Sequence, residues 1–267
     1  GKKEEYVMQA TKTSLDSYVS VLMMENKVVT KKVLERAGIS VPGGYEYTSP
    51  EAGMADYRLY AGKPVVIKPK STNFGLGITI LKHNYDETDF KAALQIAFEH
   101  DNTVLIEKFI PGREFRIFII NDEVVGILHR VPANVTGDGV LNIGQLIDMK
   151  NEDPLRGKGY RTPLEKIRKG REEEMFLKQQ GMDFNTVPKE REVVYLRENS
   201  NISTGGDSID FTDDIDDSYK AIAVEAAKAL NVKITGLDMM IQDIHAPATP
   251  DNYAIIEMNF NPAIHIH

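Results

Sequence analysis

A chain of 267 residues, 42% apolar and 27% charged, has the size and balance of a soluble globular protein with one large domain or a few subdomains. Its 32 basic against 40 acidic residues leave a formal charge of −8, which argues against a general nucleic-acid-binding surface and confines any polyanion site to a local basic pocket. The lack of cysteine excludes disulfides, a thiol nucleophile and cysteine-based zinc sites and suits the cytoplasm, no apolar run approaches the roughly 18 residues that span a bilayer, and no signal peptide opens the chain.

Residues 8–24 lack a single clear period. Lys27 to Gly38 reads as a helix, with Val29, Val33, Leu34 and Ala37 on one side and Gly38 as a natural end, and 39–42 leaves it extended. The β-branched Val65, Val66 and Ile67 and the run Ile78 to Leu81 read as strands flanking a polar, glycine-bearing loop. Gly75 and Gly77 allow that loop positive φ and close approach of backbone N–H groups to an anion. Lys68 and Lys70 add charge, and Ser71, Thr72 and Asn73 add donors. Because a strand follows the loop, neither a Walker-type P-loop nor a dinucleotide-binding glycine motif fits, and an ordinary hairpin stays open.

Between Tyr85 and His100, Phe90, Ala93, Leu94, Ile96 and Ala97 share one side of a helix that starts with acidic residues. A strand is expected at 104–110, punctuated by Pro111-Gly112, then a hairpin of 114–120 and 124–131 about Asn121-Asp122. Leu141 to Gln180 reads as polar and helical, its basic run 155–172 as a solvated face. Arg197 to Asp210 is rich in hydroxyl residues, asparagine and glycine, as in a long turn or a set of donors over a phosphoryl group. A helix at 215–230 and strands at 234–241 and 253–260 complete the chain, with no internal repeat.

Asp238 lies inside an apolar strand, where a carboxylate needs a partner: an arginine or a metal. Glu257 and Asn259, two apart, share a strand face, and with Asp238 they form an oxygen set of the Mg²⁺ type. Glu107 and Glu114 are carboxylates suited to accept from an adenine amino group and ribose hydroxyls, or are surface residues. Arg130 offers a fork for phosphate or an oxyanion, or makes a structural ion pair. His265 and His267 alternate at the C-terminus, but no other histidine has ligand spacing.

Taken in order, the Asn26-Lys27 helix start, the strand and glycine hairpin at 65–81, the EKFIPGREFR segment and the Asp238, Glu257, Asn259 set resemble the ATP-grasp ligases from about Lys27 to Pro262. Within them, KPKSTNFGLGI, RVPANVTGDG and NSNISTGGDSID are similar to the glutathione synthetase half of the bacterial bifunctional glutamate–cysteine ligase/glutathione synthetases; cyanophycin synthetase and glutamate-adding ligases are more distant. The resemblance implies an α+β ATP-grasp fold: two α+β subdomains clasping ATP between antiparallel sheets. It divides the chain into a helical N-terminal portion at 1–48, a lid subdomain at 49–110 and a large subdomain with the metal site at 111–267, truncated at its end. It further implies that Lys27 and Lys68 contact ATP phosphates, with Lys70, Ser71, Asn73, Gly75 and Gly77 in the covering hairpin. Glu107 would meet the adenine amino group, Lys108, Phe109 and Ile110 would offer backbone to adenine, and Glu114 would hold the ribose. Asp238, Glu257 and Asn259 would bind Mg²⁺, with Mn²⁺ as an alternative, while Arg130 and Asn201 would face the γ-phosphate and acyl phosphate.

The implied reaction is ATP-dependent joining of γ-glutamylcysteine to glycine, in a cytoplasmic protein fused to a glutamate–cysteine ligase domain and compatible with a homodimer, without nucleic-acid or membrane partners. A related peptide ligase and a non-catalytic nucleotide-binding module remain open alternatives.

Overall fold

The computed structural model describes residues 11, 13–71, 76–82, 84–159, 161–197, 200, 202–262 and 264. In chain order the elements are α1 (Tyr18–Glu25), α2 (Lys27–Arg36), β1 (Gly44–Tyr47), α3 (Pro50–Ala55), α4 (Tyr57–Tyr60), β2 (Val65–Pro69), β3 (Thr79–Leu81), α5 (Glu87–Phe98) and β4 (Val104–Lys108). Then follow β5 (Arg113–Ile120), β6 (Glu123–Val131), β7 (Asn134–Thr136), α6 (Ile143–Lys150), β8 (Arg156–Gly157), β9 (Leu164–Glu165), α7 (Arg171–Gln179) and β10 (Val193–Tyr195). The chain ends with β11 (Asp207–Asp210), α8 (Asp217–Ala229), β12 (Ile234–Ile241) and β13 (Tyr253–Asn259).

The chain packs as two compact units, one holding the residues up to Val125 together with Asp214–Pro262, the other Gly126–Asp213. These breaks differ from the expected boundaries at 48/49 and 110/111. β1, which precedes the first of those, is hydrogen-bonded into the same sheet as the strands that follow it.

In the first unit, β1, β4, β2 and β3 form an antiparallel sheet in that order. The expected hairpin across the glycine loop is present, with Val65 opposite Leu81 and Ile67 opposite Thr79. One face of this sheet is apolar: Val65, Ile67, Val104 and Ile106 pack with Phe90, Ala93, Leu94 and Ala97 of α5. Helix α5 is started by a capping box between Asp86 and Asp89. Ile96, expected on the buried side, is 43% exposed. A second antiparallel set joins β5, β12 and β13, with Phe115, Ile117, Ile119, Leu237, Met239 and Ile241 fully buried. After β5 the chain turns at Asn121 (φ 50°) and Asp122 (φ 68°), the two positive dihedrals that a tight two-residue hairpin needs.

Helix α2 begins and ends as its sequence suggests: Asn26 caps Val28 and Val29, and Gly38 takes φ 76° past the end. Helix α1 was not legible because Tyr18, Val19 and Leu22 point outward while Val21 and Met24 are buried, so no apolar stripe stands out. In the second unit, only α6 and α7 of the expected helical stretch 141–180 are helical. The basic run between them holds the short parallel pair β8–β9 instead, and α6 and α7 pack with β7 and β10 around Ile147, Leu177 and Val194.

Phe90 is fully buried, with Tyr57, Tyr60 and Tyr85 rings about it. Phe90→Ala is expected to lower unfolding free energy by roughly 3–5 kcal/mol, and Ile96→Ala on the outer side of the same helix by about 0.5 kcal/mol or less. Urea titration followed by circular dichroism checks both; equal losses would contradict this placement of the core.

Candidate functional site

The opposite face of the four-stranded sheet carries charge. Val66 pairs with Glu107 and Lys68 with Leu105. Alternation along each strand therefore sets Lys68 and Glu107 diagonally on one face. Lys68 Nζ lies 2.9 Å from Glu107 Oε2, while the other oxygen of Glu107 is bonded by Lys31 Nζ, which also donates to the Pro42 carbonyl at 3.0 Å. The three side chains are 13%, 5% and 15% exposed, so this is a buried charge triplet. Burial works to raise the pKa of Glu107, but the ammoniums of Lys68 and Lys31 outweigh it and hold the carboxyl below its ordinary value. Burial also pulls the Lys31 ammonium below the usual lysine range, against the opposing pull of Glu107. Glu107, expected at an adenine amino group, thus has a different partnership: both its oxygens already meet lysines.

Lys70, just past the end of β2, reaches Glu46 of β1 at 3.0 Å. The loop that follows is tied at its root, since Lys70 N donates to Thr103 O and Ser71 N to Asp101 Oδ2 at 2.7 Å. Gly77 has φ 73°, and a Cβ there would lie 2.7 Å from both Pro69 and His100, so both dihedral and space demand glycine. Asn73 and Gly75 lie outside the described residues.

The second set builds the other charged face. Asp238 of β12 stands opposite Arg116 of β5 on one side and Glu257 of β13 on the other. Arg116 forks onto Asp238, Nε to Oδ1 at 2.5 Å and a terminal nitrogen to Oδ2 at 2.8 Å. Asn259 Nδ2 reaches Asp238 Oδ2 at 3.5 Å, and Lys27 Nζ lies 3.5 Å from Glu257. The three expected metal residues are therefore neighbours, and the arginine alternative for Asp238 is also realised. Among the described residues no group of three or more His, Cys, Asp or Glu gathers to hold a cation. The set here is two carboxylates and an amide. All are hard oxygen donors, and their small number leaves coordination positions for water and phosphate oxygens, as Mg²⁺ sites do. The residues fit that ion.

Of the remaining candidates, Lys108 N donates to Gly43 O at 2.8 Å and Phe109 N to Pro64 O at 3.0 Å. An adenine contact there falls to their carbonyls or to Ile110. Glu114, on β5, stands opposite Met240 of β12, two residues before Arg116 and on the same strand face. Arg130 belongs to the second unit, opposite Ser208 in the β6–β11 pair. Asn201, and likewise His265 and His267, lie outside the described residues.

Two charged residues with several partners were not among the sequence candidates. Lys31 sits one helical turn after Lys27, a spacing that places both on one helix face and could have suggested it. Arg156 of the supposedly solvated run is only 4% exposed; it bonds Asp207 and donates to the Glu165 and Gly205 carbonyls at 2.8 and 2.9 Å. No local signal distinguishes it from its exposed neighbours.

Residues 46–145 match the family described as the D-ala D-ala ligase C-terminus. The chain is 63% identical, over 99% of its length, to the glutathione biosynthesis bifunctional protein GshAB of Desulfotalea psychrophila and covers 34% of that protein. Among solved structures, a bifunctional glutathione synthetase from Pasteurella multocida matches with a TM-score of 0.76 at 50% identity, over 98% of this chain and 36% of that one. The D-alanine–D-alanine ligase from Bacillus anthracis shares the fold, with a TM-score of 0.54 at 20% identity over 91% of this chain and 59% of its own. The chain thus spans about a third of the length of the curated relatives it matches.

Glu107→Gln leaves two buried lysines without a countercharge and is expected to cost about 3 kcal/mol at neutral pH. A carboxyl with a folded pKa below its unfolded one contributes stability that is full above the unfolded value and is lost as pH falls through the folded one. The wild-type advantage should therefore shrink below the ordinary value of 4.5. Chemical denaturation at several pH values reads this; a gap unchanged at about pH 3 would mean that packing, not charge, was lost.

Proposed function

We propose that this chain, an ATP-grasp domain homologous over its whole length to the bifunctional glutathione biosynthesis proteins, is an ATP-dependent carboxylate–amine ligase that joins γ-glutamylcysteine to glycine and releases ADP and phosphate. The observation that supports it most is the cluster in the first unit where Asp238 stands directly opposite Glu257, beside Asn259, with Lys27 at 3.5 Å from Glu257. Adjacent carboxylates with a lysine at their edge suit a metal-bound triphosphate better than they suit a core.

In this reading the cysteinyl carboxylate attacks the γ-phosphorus of ATP, and the glycine amine then displaces phosphate from the acyl phosphate. Lys27 and Lys68 hold phosphate oxygens in place, which is most of what phosphoryl transfer asks of a protein. Asp238, Glu257 and Asn259 hold Mg²⁺, or Mn²⁺, which when bound neutralises charge growing on those oxygens. Arg116, forked onto both oxygens of Asp238, holds that carboxylate in orientation. Glu114 holds the ribose, and the backbone at 108–110 meets adenine. The β2–β3 hairpin, with Lys70, Ser71 and Gly77, belongs to the lid at 49–110, which shields the acyl phosphate from water. The roles implied for Arg130 and Asn201 belong to the segment 126–213. Fusion to a glutamate–cysteine ligase domain and a cytoplasmic setting complete the proposal, the latter supported by the cysteine-free composition.

The test is ADP release from ATP and Mg²⁺ with glycine and a panel of acceptor carboxylates. Release with γ-glutamylcysteine is expected. Release only with aspartyl or glutamyl polymers would shift the reading to another peptide ligase, and nucleotide binding by calorimetry without any release would leave a binding module. Glu257→Gln should lower turnover by roughly 100-fold or more while the melting temperature stays close to wild type; unaltered turnover would remove Glu257 from the site.

A further inference from the structure

The buried triplet contains one more ammonium than it needs. A single lysine would satisfy Glu107 as an ion pair, yet Lys31 takes one oxygen and Lys68 the other, the latter at 2.9 Å. Counting charges gives two positive and one negative, an excess of one behind side chains no more than 15% exposed. Glu35, one turn further along α2, acts on Lys31 but is exposed and screened by solvent, so it offsets that excess only in part. The cluster is also asymmetric. Lys31 is anchored twice, to Glu107 and to the Pro42 carbonyl at 3.0 Å, whereas Lys68 stands on the strand that leads into the glycine hairpin.

We propose that Lys31 is a positioning residue for nucleotide binding: by holding Glu107 it frees the charge of Lys68 for a polyphosphate. The inference rests on the reading above, in which Lys68 is a phosphate lysine. With Lys31 present, Lys68 can turn from Glu107 to phosphate and leave behind a carboxylate that is still paired. Without Lys31 the same movement strands a buried anion, and Glu107 retains Lys68 as its only countercharge. Glu107 then competes with the nucleotide instead of assisting it. A lysine that merely braced α2 against the sheet would produce no such competition.

The two roles separate in a charge-rescue cycle. Calorimetry with the non-hydrolysable analogue AMP-PNP and Mg²⁺ is run on the full chain as wild type, Lys31→Met, Glu107→Gln and the double variant, with melting temperature recorded for each. Lys31→Met is expected to weaken binding roughly 10-fold or more and to raise the KM for ATP with a smaller change in kcat. The double variant, which removes the competing anion as well, is expected to bind within about 3-fold of wild type. Lys31→Arg should bind like wild type. Binding by Lys31→Met within about 2-fold of wild type, or a double variant that binds no better than Lys31→Met, would overturn the inference. If Lys31→Met shows no cooperative melting, the double variant decides, since its buried charges are removed as a pair; binding more than about 10-fold weaker than wild type would then overturn it. A wild type that binds no nucleotide sinks the ligase reading as well, whereas a wild type that binds and a Lys31→Met that binds equally sinks only the role of Lys31.

Discussion

Side chains alternate across a strand, so each sheet can bury one face and present the other, and both charged clusters of the first unit depend on that alternation. In β2 and β4 one set of alternate positions carries Val65, Ile67, Val104 and Ile106 inward, and the other set carries Lys68 and Glu107. In β5 and β12 the same rule separates Phe115, Ile117, Leu237 and Met239 from Arg116 and Asp238. The charged residues are nearly as buried as the apolar ones, Glu107 and Asp238 at 3% each, so they persist only in pairs or triplets that satisfy one another. A register slip of one residue in either sheet would exchange the two faces and leave core positions charged.

Close approach of these charged groups needs missing side chains and one irregularity. Gly44 lies opposite Glu107, where a Cβ would come 2.2 Å from the Ile106 carbonyl oxygen and 3.0 Å from the Glu107 side chain. Gly236 leaves room for Pro262 at 2.8 Å and for Arg116 Cδ at 3.3 Å, so the arginine can lie along β12 and fork onto Asp238. The register shift between Asp238 and Met239 puts Glu257 opposite Asp238, then resumes with Ile255 opposite Met239. The bulged residue, Ile256, takes up the difference, and the polar and apolar pairings are both kept.

The sequence made strands and helices legible where composition was consistent over a whole element: the β-branched runs around the glycine loop, the capped helix at 87–98, and the pair Glu257 and Asn259 on one strand face. It failed where a residue's meaning lay in a distant partner. Glu107 at the end of an apolar strand suggests a ligand contact, because nothing local reveals Lys31, 76 positions earlier. Asp238 allowed either an arginine or a metal, and the arginine is 122 positions away. Arg156 reads as one more exposed base in a basic run, yet its partner Asp207 is 51 positions on, in a strand too short and polar to recognise. Helix α1 failed for the opposite reason: its apolar residues lie on both sides.

Burial then divides the ion pairs of the first unit by what can exchange. Arg116 and Asp238, 10% and 4% exposed and joined by two short bonds, are a fixed pair whose rupture would leave a buried charge. Lys27 and Glu257, 20% and 34% exposed and 3.5 Å apart, are loosely held and partly screened by water, so separating them costs little. Both pairs include a residue of the proposed metal set, one buried and clamped, the other accessible and weakly engaged. A cation and a phosphate arriving together would replace the loose pair with stronger partners for each member, Glu257 on the cation and Lys27 on the phosphate, and the clamped pair would hold its geometry meanwhile. That difference between adjacent ion pairs, in burial and in distance, would let one sheet face be both a stable part of the fold and, in the proposed reading, a place where charges change partners.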